Sequence, residues 1–202
     1  MRAGDKAERT AFGFSLLELL VVMAVIGLLA AMTVPALSSI TRGAAIARAG
    51  SAMLEQMLLA RQLATSKGRV AEVRFFQIPS GAGSGPAYRA MQVCLLDERG
   101  TTNNASSATP LVRLPDGVAI HTGATYSPLL SSQPASTTTL PGVGSCSYKY
   151  IRFRPNGSAD LPGSNTFVTA VLESDLATTN TPANYACVNI QPVTGHPSLY
   201  RP

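Results

Sequence analysis

Hydrophobic residues are unevenly spread along the chain. From Leu16 to Leu37 nearly every position is apolar, with Glu18 as the one charged residue. That stretch predicts a helix that is apolar on all sides, which needs lipid or other protein around it. Beyond Pro35 the pattern changes to an amphipathic one. Ile40, Ala44, Ala47, Met53, Leu54, Met57, Leu58 and Ala64 recur at three- and four-residue steps, as one helix face should. Lys67 suits the negative end of the helix dipole and Gly68 reads as a stop. Pro35 predicts a kink. Gly43 and Gly50 are weak points that each cost about 1 kcal/mol relative to alanine.

After Gly68 the period shortens to that of strands. Val70–Ile78 and Tyr88–Leu96 are rich in β-branched and aromatic residues, and "PSGAGSGP" joins them as a hairpin loop. Gly117–His121, Tyr148–Arg154, Thr166–Glu173 and Tyr185–Ile190 are further strands, with a short terminal one at Ser198–Tyr200. Thr101–Thr109 and the Ser/Thr/Pro-rich Tyr126–Ser145 read as loops. "RPNGS" reads as a turn. The expected fold class is α+β: one long N-terminal helix on a mostly antiparallel sheet, because the connections are too short for crossover helices.

Composition narrows the chemistry. The chain has 202 residues and a formal charge of +5 spread along it, with no run of like charges to act as a nucleic-acid arm. Cys94, Cys146 and Cys187 lack metal-ligand spacing and are too few for a disulfide scaffold. In an oxidising compartment one pair could close and leave one thiol. His121 and His196 stand far apart. The glycines of "PSGAGSGP" precede no helix, so they cradle no phosphate. Asp160, Glu173 and Asp175 are candidates for an acid–base pair, and are more simply read as acids at loop and strand ends. No Ser-His-Asp, His-Glu-x-x-His or nucleotide loop is present. An enzyme, a metal site and a cofactor are therefore not expected.

Glu18 needs a reason, since an acid at the centre of a bilayer costs roughly 2.5–3.5 kcal/mol or more. A cut between Gly13 and Phe14 would supply one: Phe14 gains an α-amino group and Glu18 becomes the fifth residue, so ammonium and carboxylate can pair. "GFSLLELLVVMAVIGLLAAMTVPAL" resembles the signal of type IV pilins and type II secretion pseudopilins. The resemblance implies leader removal after Gly13 by a membrane prepilin peptidase, N-methylation of Phe14, and filament assembly through Glu18. It implies partners among other pilin or pseudopilin subunits and a single pass through the inner membrane, with the head in the periplasm or outside the cell. The expected division is 1–13 leader, 14–37 transmembrane and assembly helix, 38–68 amphipathic stalk, and 69–202 β-rich head.

Three further stretches, "LLARQLATSKGRVAEVRF", "IRFRPNGSADLP" and "CVNIQPVTGHPSLYR", are similar to the minor pseudopilin H and FimT/FimU-like branch. They are also similar to Verru-Chthon cassette protein D. The implied function is a minor pilin or pseudopilin. The alternative is a DNA-binding tip pilin. For that role Arg152 and Arg154 would form a basic strip with Tyr148 and Tyr150 on one strand face. FimT-like DNA receptors carry a basic Gly-Arg run near the C-terminus, where this chain reads "TGHPSLYR".

Overall fold

A computed structural model describes residues 15–79, 85–97, 105–161, 163, 165–178 and 181–202; side chains of 32–38 lie outside the description. The chain forms two compact units, Met1–Thr41 and Arg42–Pro202. Helix α1, Leu16–Lys67, contributes to both. Its backbone is helical through Pro35, whose side chain is among those not described.

Helix α1 ends where the sequence predicts. Gly68 adopts φ +62°, and the Arg69 N–H returns to the Ala64 carbonyl at 3.3 Å, which satisfies an otherwise orphaned acceptor.

The second unit is a sheet packed on the α1 face that starts at Ile46. The strands are β1 Ala71–Ile78, β2 Ala87–Leu95, β3 Ser106–Ser107, β4 Val112–Arg113, β5 Val118–Ile120, β6 Ser136–Leu140, β7 Gly144–Phe153, β8 Ala159–Asp160, β9 Phe167–Leu172, β10 Tyr185–Ile190 and β11 Pro197–Tyr200. The main path runs β11-β10-β9-β5-β2-β1-β7-β6, with β3 and β4 on β2 and β8 on β7. Every described pairing is antiparallel. The fold class is α+β, as the alternation of apolar and polar positions predicts.

The helix face that the sheet covers is shifted from the one the sequence suggests. Ile46, Ala49, Met53, Met57, Ala60 and Ala64 are fully buried against Val73, Phe75, Met91, Val93, Ile151 and Phe153. Ile40 and Leu58 instead point to solvent, and Leu54 is half-buried. Small alanines let the helix lie close to the sheet, so the covered stripe follows shape as well as hydropathy.

Gly50 is a packing site. A Cβ there would stand 2.7 Å from the Ala186 Cβ on β10 and 3.0 Å from Leu199 on β11. The helical cost of this glycine is the condition for the approach of the C-terminal hairpin. Further along, Arg61 Nε donates to the Thr194 carbonyl at 2.7 Å. Gly195, at φ +62°, lies so close to Gly157 that an added Cβ would be 2.2 Å from its carbonyl oxygen. Two turns that look unrelated in sequence, "RPNGS" and "VTGHP", therefore meet beside the helix.

Two expected loops hold structure. Tyr126–Ser145 contains the short helix α2, Pro128–Ser131, and strand β6. Leu129 and Leu130 are fully buried, and Ser127 Oγ accepts a bond from the Thr169 N–H at 2.9 Å. The Ser/Thr/Pro composition suggests a loop, yet "STTTL" is β-branched and fits an edge strand. In Thr101–Thr109, Ser106 and Ser107 pair with β2, while 101–104 lie outside the described residues. Five residues of the hairpin loop, 80–84, do too.

Candidate functional site

Glu18 sits in the first turn of α1. Ser15 precedes the helix, and its Oγ accepts from the Leu17 N–H at 3.3 Å. Its carbonyl accepts from the N–H groups of Glu18 at 3.0 Å and Leu19 at 3.1 Å. Ser15 is thus an N-cap, and Ser15-Leu-Leu-Glu18 has the spacing of a capping box, with the carboxylate at the positive end of the helix dipole. The spacing is legible in "SLLE". Gly13 and Phe14, the expected cleavage and methylation residues, lie outside the described residues.

Apolar side chains cover this part of α1 on every side. Between Leu16 and Leu29 their exposures run from 47% at Val22 to 88% at Leu16. Among the described residues no helix is long and apolar enough to cross a membrane. The stretch with described side chains ends at Ala31, short of the roughly 20 residues a span needs. The expected span 14–37 continues into Met32–Leu37, whose side chains are not described.

The basic–aromatic strip takes a different form from the expected one. Arg152 lies on β7 with its guanidinium 4.6 Å above the Tyr150 ring, and its Nε donates to Glu72 Oε1 at 2.9 Å. Glu72, on β1, is fully buried. Its other oxygen accepts from Arg74 Nε at 2.9 Å, and Arg74 lies 4.7 Å over the Tyr148 ring. One buried carboxylate therefore ties two guanidiniums together across adjacent strands. Arg154 falls beyond the end of β7 and pairs with Asp160 at 3.1 Å, so it is not part of the strip. Glu72 and Arg74 are not among the residues expected from the sequence, although alternation in "AEVRFFQI" places both on one sheet face. Arg152 is thus already engaged by Glu72 and the Tyr150 ring. The DNA-binding alternative is therefore not favoured.

The other candidates are dispersed over separate partners. Glu173 pairs with Arg89, the extra residue of a bulge that lets Ala90 oppose Phe76 and Tyr88 oppose Gln77. Bulges re-aim side chains, and here Arg89 also donates to the carbonyls of Ile78 at 2.7 Å and Gly85 at 3.0 Å. Asp175 accepts from the Ser174 hydroxyl at 2.9 Å. The buried His121 accepts from the Gly123 N–H at Nδ1, 2.9 Å, and its ring stands edge-on to Tyr126. Burial lowers its pKa. His196 is exposed. Cys94, Cys146 and Cys187 are all free thiols, and burial raises the pKa of each. Among the described residues no three His, Cys, Asp or Glu side chains gather as metal ligands would.

The described start of α1 is thus a capped helix turn followed by apolar side chains on every side. The prokaryotic N-terminal methylation motif matches residues 9–34. The match spans 26 of the 202 residues, all at the N-terminal end of the chain. No curated protein matches the chain. Among solved structures, the minor pseudopilin EpsH from the type 2 secretion system of Vibrio cholerae is similar at 11% identity and a TM-score of 0.42. That likeness covers 78% of this chain and 97% of that one.

Proposed function

We propose that this protein is a minor pilin or pseudopilin, a structural subunit of a membrane-anchored filament of the type II secretion or type IV pilus kind. A prepilin peptidase removes residues 1–13, Phe14 becomes the methylated N-terminus, and residues 14–37 anchor the subunit in the inner membrane. In the filament the apolar surface of Leu16–Leu29 packs among the same helices of neighbouring subunits. The head belongs to the branch that includes minor pseudopilin H and FimT-like proteins. The single observation carrying this reading is the N-terminal methylation motif over residues 9–34, which contains Glu18, five residues from the proposed cut.

Glu18 has two tasks in this scheme. Its carboxylate favours the start of α1, beside the Ser15 cap. It also pairs with the Phe14 ammonium of an adjacent subunit, so that neither charge is buried alone. Glu18→Ala and Glu18→Val keep membrane insertion, cleavage and the folded head but lose most filament entry. Glu18→Asp is intermediate because its reach is shorter by one methylene. A pull-down of filament components with wild type and the three variants measures this. Co-assembly of Glu18→Ala at the wild-type level would sink the assembly role.

A further inference from the structure

Three arginines gather where the second unit begins. Arg42 and Arg48 are exposed on α1, and exposed Arg201 lies just past β11. The Arg201 guanidinium reaches the Gly43 carbonyl at 3.4 Å. A Cβ at residue 43 would meet Asn184 Nδ2 at 3.4 Å and Arg201 Nη2 at 3.9 Å, so the glycine leaves room for the returning tail. At 100° per residue Arg42 and Arg48 lie about 120° apart around the helix. Arg201, held over Gly43, adds a third direction. Together they ring the helix instead of forming a row.

Among the described residues no acidic side chain pairs with them. The sequence holds no Asp or Glu between Glu18 and Glu55. Among the described residues, the ion pairs are those of Arg74, Arg89, Arg152 and Arg154, and none involves the three arginines. Their position along the sequence matters as much. The apolar run ends at Leu37, Ser38 and Ser39 follow, and Arg42 comes little more than one turn later.

We infer that Arg42, Arg48 and Arg201 form a collar that binds the phosphates of anionic phospholipid headgroups. The inference rests on the membrane-anchored reading above. Guanidinium matches phosphate in a two-point hydrogen-bonded geometry, and cations close to an anionic bilayer surface each add to binding. Positive charge normally favours the cytoplasmic flank of a span. Arginines on the far flank work against the proposed topology, so their presence there calls for a local use. Nucleic acid is the competing ligand, but its phosphates follow one track and are best met by cations in a row. A ring around a helix at the membrane edge fits a surface that surrounds the helix.

The test uses the full chain in mild detergent, offered equal amounts of phosphatidylglycerol and phosphatidylcholine, with bound lipids counted by native mass spectrometry. The wild type retains phosphatidylglycerol in preference by on the order of tenfold. The triple variant Arg42→Gln, Arg48→Gln, Arg201→Gln loses that preference, and the triple Lys variant keeps only the part that charge alone supplies. Should the triple Gln variant unfold, Arg42→Gln alone serves, with a partial loss expected. Equal lipid preference in wild type and Gln variants overturns the collar, as does a loss confined to binding of a DNA duplex. A chain that inserts into bilayers without headgroup preference refutes the collar alone. A chain that never partitions into membrane refutes the anchored reading itself.

Discussion

Met57 and Leu20 belong to one helix but meet different surroundings. Met57 is fully buried, with the Arg42–Lys67 stretch laying one stripe on its own sheet. Leu20 is 68% exposed, and its neighbours are apolar on every side. The chain supplies the burial for the later stretch. For the earlier one, the described residues supply only the apolar surface, which in the proposed filament lipid or neighbouring subunits would cover. Along one continuous helix the difference separates residues that the second unit buries from residues that it leaves exposed.

The comparison breaks most visibly through the buried stripe. Met57→Ala is expected to cost the second unit about 2–5 kcal/mol, from lost transfer energy and the cavity left behind. Leu20→Ala should leave that unit's stability within about 0.5 kcal/mol of wild type. Urea unfolding of the full chain in micelles, followed by near-ultraviolet circular dichroism of the tyrosines, reads both. Equal losses would mean that the two stretches are not energetically distinct.

Glycines on the helix sharpen the contrast. Gly50→Ala should destabilise, because overpacking against Ala186 and Leu199 costs about 1–3 kcal/mol and exceeds the helix-propensity gain of up to about 1 kcal/mol. Gly27→Ala meets nothing within 4 Å and should leave the second unit's unfolding midpoint unchanged. A stabilised Gly50→Ala would show that the C-terminal hairpin does not press on the helix.

The smallest effect expected is pH-dependent. Burial holds His121 below its ordinary value of 6.5. The ring accepts a bond at Nδ1 and is neutral, so on acidification the unfolded chain takes up the proton first. The contribution is complete above about pH 6.5 and is lost as pH falls from there through the lowered folded value. His121→Gln should flatten stability against pH between about 7 and 5. Identical slopes in wild type and variant would contradict this.

Local pattern made the principal elements legible. Alternation located the strands from Val70 to Ile190, and "SKG" located the helix end. Partners distant in sequence were harder to read. Nothing within "AEVRFFQI" indicates that Glu72 will hold Arg152, eighty residues away. Nothing near Gly50 indicates that Ala186 and Leu199 will press on it. Residues 136–140 form a strand through pairing with β7, despite their polar composition. At the N-terminus the motif was legible because its meaning is local: glycine, phenylalanine and glutamate at fixed spacing.

Processing is therefore where the account is most directly exposed. Intact-mass and N-terminal peptide mass spectrometry of the protein extracted from membranes would read the mature end. The account predicts a chain that starts at Phe14 and carries one added methyl group on its α-amine. A chain that still begins at Met1, or one cut near Ala31, would contradict the prepilin reading and the filament role that rests on it.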